Sequence, residues 1–111
     1  MMLDWNEYHK ELGSTIAKIA GISPDVLKGY QTLSGAGAKT GKLDEKTRQL
    51  IALAVAVTIR CDGCIVVHTD AAIKAGATKE EIVEALGVAL NAGAALVYSA
   101  RVMDAYSAKA K

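Results

Sequence analysis

An excess of charge of either sign is the first thing this chain lacks: 13 Lys and Arg stand against 12 Asp and Glu. That balance removes the electrostatic case for binding nucleic acid or an anionic membrane surface. Long hydrophobic runs are missing too. Uncharged stretches such as Gln49 to Ile59 fall short of the ~20 apolar residues a membrane-spanning helix needs. No basic segment followed by an apolar one opens the chain, so no secretory signal is expected and a cytoplasmic location is the default. Phenylalanine is absent although 51% of the 111 residues are apolar, so that content falls largely to Ala, Val, Leu and Ile. Small side chains let helices approach closely, and this much apolar surface is hard to hide in one small monomer, which points to an oligomer. The length suits a single domain, residues 1–111.

Proline occurs once, and its position is informative. Ser23 can cap a helix that has Pro24 at its first position, with Val26, Leu27, Tyr30 and Leu33 on its apolar face. Before it, Trp5, Tyr8, Leu12, Ile16 and Ile19 recur every three to four residues over 4–20, an amphipathic helix that Gly21 ends. The glycines of "GAGAKTGK" predict a loop near 35–43. Asp44 caps the next segment, whose acidic residues sit where the helix dipole favours them. Thr78 and Glu81 form a capping box for "TKEEIVEALGVAL". A last helix follows in "NAGAALVYSARVMDAYSAK", where Asn91 and Gly93 either separate it or only kink a continuous rod. No repeat or low-complexity tract interrupts this order.

The stretch "RCDGCIVVH", Arg60 to His68, holds both cysteines and one of the two histidines. Asp-Gly between two runs rich in β-branched residues is a hairpin signal. The capped segment before Cys61 is long for a strand, however, and alanine at 52, 54 and 56 favours helix. Leu50, Leu53, Ala54 and Val57 keep a helical stripe, and a lone hairpin would have no sheet to join. The expectation is helix-turn-helix, with Asp62 and Gly63 near the junction and a helix running from the cysteines to about Ala75, closed by Gly76.

On such a helix Cys61 and Cys64, three residues apart, are close enough for a disulfide. His68 lies one turn beyond Cys64 on the same face. The helix N-terminus and a nearby imidazole both favour thiolate, so Cys64 is the thiol that His68 can activate, and Cys61 is placed to attack whatever forms on it. The pair reads as a peroxidatic and resolving couple or a dithiol reductant. Other readings of the same residues are a structural disulfide, two inert buried thiols, or three zinc ligands needing a fourth from His9, Asp62 or Asp70. No βαβ pattern surrounds the motif, so a thioredoxin is not expected.

Residues 46 to 86, and most specifically "CDGCIVVH" followed by "AGATKEEIVEAL", closely resemble the core of the alkylhydroperoxidase D and carboxymuconolactone decarboxylase superfamily. The resemblance implies an all-α, single-domain helical bundle of about five to six helices, assembled as a homotrimer or homohexamer. It further implies a thiol-dependent peroxidase, an oxidoreductase of antioxidant defence, in which Cys61, Cys64 and His68 are catalytic. No cofactor or metal is implied. The partners would be a hydroperoxide substrate and an external thiol or a lipoyl-bearing protein as reductant. Decarboxylase members generally lack the cysteine pair, which argues against lactone decarboxylation here. In the family a Glu twelve residues before the first cysteine relays protons with the histidine; this chain has Gln49 there, with Glu45 and Glu84 as substitutes to consider. Two rivals stand beside it: a zinc-binding or redox-sensing module using Cys61, Cys64 and His68, and a cysteine-independent lyase or isomerase of the decarboxylase branch.

Overall fold

The computed structural model describes residues 1–91 and 96–110. Six α-helices run through them: α1 (Trp5–Ile22), α2 (Pro24–Ala36), α3 (Glu45–Ile59), α4 (Asp62–Lys74), α5 (Lys79–Asn91) and α6 (Leu96–Lys109). One 3-10 turn, Gly37–Thr40, follows α2, and no strand occurs among the described residues. The question of whether Asn91 and Gly93 break or kink a single rod falls at 92–95, outside the described residues.

Local chemistry sets most helix ends. Asp44 accepts a hydrogen bond from the Thr47 amide at 2.8 Å, starting α3. The Thr78 hydroxyl takes the Glu81 amide at 3.1 Å while Glu81 takes the Thr78 amide at 2.9 Å, closing the capping box of α5. Gly76, at φ +91°, supplies the left-handed residue that lets the chain turn after α4. Two boundaries and one cap bond differ from expectation. Helix α1 runs past Gly21 to Ile22 and stops because Pro24 restricts the residue before it. Helix α2 continues through Gly35 to Ala36, and the expected loop begins with a helical turn. Ser23 forms no side-chain cap bond, so α2 begins with Pro24 alone as its signal.

Helix α4 is the centre of the arrangement, packed against α3, α6 and α1. Ile65 and Val66 of α4 meet Leu53 and Val57 of α3, Ile82 of α5 and Val102 of α6 in a fully buried core. Trp5 closes one end, its indole Nε1–H donating to Asp104 at 2.8 Å and so tying the start of α1 to α6. The stripe Leu50, Leu53, Ala54, Val57 faces this core. The opposite side of α3 leaves Ile51, Val55 and Ile59 at least half exposed, one helical turn apart. Helix α2 packs chiefly on α1 and buries no residue completely.

Candidate functional site

The junction before the cysteines is a turn between helices, but it lies one step earlier than the Asp-Gly pair suggests. Arg60, at φ 58°, is the left-handed residue that ends α3, and its side chain lies over the Tyr98 ring at 5.8 Å. Cys61 then takes the N-cap position of α4, its sulfur accepting the Cys64 amide at 3.1 Å. Asp62 and Gly63 are already in the first helical turn. Gly63 is where α1 comes close: a Cβ there would stand 3.2 Å from the Leu12 side chain.

Cys61 and Cys64 are joined in a disulfide, with Cα atoms 5.2 Å apart. Both are part-buried, and with Gly63, Val67 and His68 they form one wall of a cavity of about 400 Å³. The other walls are apolar side chains of α1 and α2, among them Leu12, Ile16, Ile19, Leu27 and Tyr30. The sequence pattern assigns these residues to helix faces packed in a core. Several stay open instead, Tyr30 at 64% and Val26 at 60% exposed, because α2 has only α1 beneath it.

His68 lies on α4 one turn past Cys64, and its Nδ1 is 2.7 Å from Oε1 of Gln49 on α3. Gln49 in turn donates from Nε2 to Oε1 of Glu45 at 2.7 Å. A carboxylate only accepts, so the amide NH₂ must face Glu45 and the amide oxygen must face His68. In a neutral imidazole the proton therefore sits on Nδ1, leaving the lone pair of Nε2 free to take a proton. Glu45 is held by Arg48, whose Nε and Nη2 donate to Oε2 at 3.2 and 2.7 Å. The hydrogen bonds from Gln49 and Arg48 hold the Glu45 carboxyl below its ordinary pKa, so it is ionised. Burial pushes the His68 pKa down, and the Glu45 charge opposes this without overcoming it. The imidazole is thus neutral near pH 7 and suited to act as a base.

Three of the sequence-derived residues, Cys61, Cys64 and His68, share one cavity wall, and Gln49 stands directly behind His68. Glu45 joins them through the amide. Glu84 does not: it lies on α5 beside Leu50, Glu81 and Val88, in a separate hollow. The fourth-ligand candidates for zinc are otherwise engaged or remote. Asp62 is bound by Arg101, Asp70 by Lys74 at 2.9 Å, and His9 lines another hollow with Asn6 and Lys10. No group of three or more His, Cys, Asp or Glu placed to hold a metal occurs among the described residues.

A model of the carboxymuconolactone decarboxylase family matches residues 24–108. The chain belongs to that family. A solved carboxymuconolactone decarboxylase family protein from Legionella pneumophila, in its apo form, has the same fold at a TM-score of 0.90 and 36% identity, over 96% of this chain and 97% of that one. A protein of Haemophilus influenzae is 46% identical across 96% of both chains. One encoded in the cox locus of Paracoccus denitrificans is 41% identical across 76% of both. The all-α bundle implied by the motif is the fold this carboxymuconolactone decarboxylase family member adopts. Sequence reasoning passed over Arg101. Its guanidinium reaches Asp62 across 39 positions, a long-range pairing with no periodic signal to reveal it. Among the described residues no helix is long and apolar enough to cross a membrane.

Proposed function

We propose that this protein is a thiol-dependent peroxidase that reduces organic hydroperoxides through Cys64 and Cys61. The observation that carries the reading is a bonded cysteine pair opening onto an apolar cavity, with a histidine on the same wall backed by an amide and a carboxylate. In the reduced enzyme Nε2 of His68 takes the Cys64 proton. The thiolate attacks the terminal oxygen of the hydroperoxide, the O–O bond breaks, and the alkoxide leaves with a proton as alcohol, giving Cys64 sulfenic acid. Cys61, whose thiolate the N-cap amide stabilises, attacks that sulfur; the S–O bond breaks and hydroxide leaves with a proton as water. An external dithiol, such as a dihydrolipoyl group, reduces the disulfide by two successive exchanges and is itself oxidised. Neither a metal nor a flavin is required by these steps.

The cavity walls recommend a hydrocarbon-bearing substrate over hydrogen peroxide. Each methylene buried against Leu12, Ile16 or Leu27 contributes about 0.8 kcal/mol, or roughly a fourfold gain in kcat/KM per carbon until the cavity fills. Peroxide consumption over a series of alkyl hydroperoxides, with dihydrolipoamide as donor, checks this. A flat series would show that the apolar walls do not contact substrate, and no turnover with any thiol donor would remove the peroxidase reading.

We also propose that the protein assembles with copies of itself, as a trimer or hexamer. The exposed stripe Ile51, Val55, Ile59 and the uncovered α2 residues Leu33, Val26 and Tyr30 supply the apolar surface for it. Light scattering at micromolar concentration should give three or six times the 11.6 kDa of one chain; a stable monomer contradicts the proposal.

A further inference from the structure

The thiol pair carries a charge problem of its own. Asp62 stands between the two cysteines in sequence, at the first position of α4, where a carboxylate suits the helix dipole but opposes formation of any thiolate beside it. The structure answers with a residue from another helix. Arg101 of α6 grips Asp62 with a two-pronged fork, Nε to Oδ1 at 2.7 Å and Nη2 to Oδ2 at 2.8 Å. The guanidinium is itself confined, 5.4 Å from the Trp5 ring and 5.6 Å from the Tyr98 ring. Both partners are mostly shielded, with side chains 18% and 31% exposed. Two aromatic rings and a two-pronged fork thus hold one carboxylate in the turn that carries the cysteines.

We propose that Arg101 is a positioning residue of the cysteine pair: it cancels the Asp62 charge beside Cys61 and fixes the turn of α4 that carries both sulfurs. The inference rests on the redox reading of that pair. Without Arg101 the uncompensated carboxylate disfavours thiolate, and without Asp62 the unpaired guanidinium favours it. The other charged or titratable groups around the pair are Arg60 at the end of α3, His68 on α4 with Glu45 behind it, Tyr8 on α1, Tyr30 on α2, and Tyr98 and Asp104 on α6. All of them stay in place in the comparison below.

The test uses opposite signs. Asp62→Asn and Arg101→Met break the same ion pair, so a purely structural role would change thiol reactivity in the same direction in both. The charge account moves them apart. In the reduced protein, iodoacetamide alkylation followed at each cysteine by mass spectrometry should have its pH midpoint about half a pH unit lower in Asp62→Asn and about half a unit higher in Arg101→Met. The double variant should return near wild type, and Arg101→Lys should stay near it because the charge is kept. Single variants that shift together, or do not shift, overturn the inference. Should Arg101→Met fail to fold by circular dichroism, the direction in Asp62→Asn decides alone: down supports the inference, unchanged or up overturns it. A separate readout guards the premise. If oxidised wild type forms no Cys61–Cys64 disulfide, the redox reading has failed; if it forms one and the midpoints do not diverge, only the role of Arg101 has.

Discussion

Cys64→Ser should abolish hydroperoxide turnover, a loss on the order of 10³-fold or more, as expected for removal of a nucleophile. Cys61→Ser should behave differently. Its Cys64 still loses a proton to His68 and still attacks peroxide, so a single turnover survives and sulfenic acid accumulates where a carbon nucleophile such as dimedone can trap it. Catalytic turnover fails because nothing resolves the intermediate. The ranking is the point to measure, because the two sulfurs have different neighbours. Cys61 has the helix N-cap amide, the position that activates the nucleophile in many CxxC motifs, whereas Cys64 has the imidazole one turn along. If Cys64→Ser traps dimedone at Cys61 and Cys61→Ser does not trap it at Cys64, the amide outweighs the imidazole and the roles are exchanged. A variant pair that retained full hydroperoxide turnover would instead mean that neither sulfur is the nucleophile.

The second large effect comes from the chain Glu45–Gln49–His68. Gln49→Glu alone sets two carboxylates side by side, since Gln49 Nε2 is 2.7 Å from Glu45 Oε1. One would protonate or swing away. Exchanging the pair, Glu45→Gln with Gln49→Glu, avoids the clash: the new amide donates to the new carboxylate, which meets Nδ1 of His68 directly. An adjacent negative charge favours imidazolium, so the His68 pKa rises, by about one unit for a contact this close. Imidazolium in turn favours the Cys64 thiolate, so the alkylation midpoint of Cys64 moves to lower pH. Glu45→Gln alone runs the other way. It removes the one charge that raises the His68 pKa, leaving burial unopposed, and it frees Gln49 to turn its NH₂ toward Nδ1. The midpoint then rises and the rate near neutral pH falls, by roughly fivefold for each kcal/mol of thiolate stabilisation lost. Alkylation rate against pH for the three proteins measures this; identical profiles would mean that His68 does not govern Cys64.

Much of this was legible in the residues because the signals were local. Asp44 and the Thr78–Glu81 box name helix starts from side-chain chemistry a few residues long, and both caps form. The i, i+3 and i+4 spacing of Cys61, Cys64 and His68 survives intact on α4. The turn before them comes earlier than the Asp-Gly pair signals, because a sulfur serves as N-cap and lets Asp62 and Gly63 join the helix, while Arg60 takes the left-handed conformation usually left to glycine. What could not be read were pairings set by the tertiary packing. Gln49 stands out in the sequence by breaking a family pattern, but the route of a carboxylate through it to His68 needs α3 and α4 side by side. Arg101 needed α6 laid across the first turn of α4. The apolar residues of α1 and α2 announced helices correctly and concealed that part of their surface would line a cavity.

The most direct measurement is the intact mass of fully reduced protein after one equivalent of an organic hydroperoxide such as cumene hydroperoxide. The account predicts the loss of two hydrogens from a single chain, with Cys61 and Cys64 both protected from alkylation, no cross-linked dimer, and one equivalent of alcohol released. Two thiols that remain free and alkylatable while the hydroperoxide persists would contradict it.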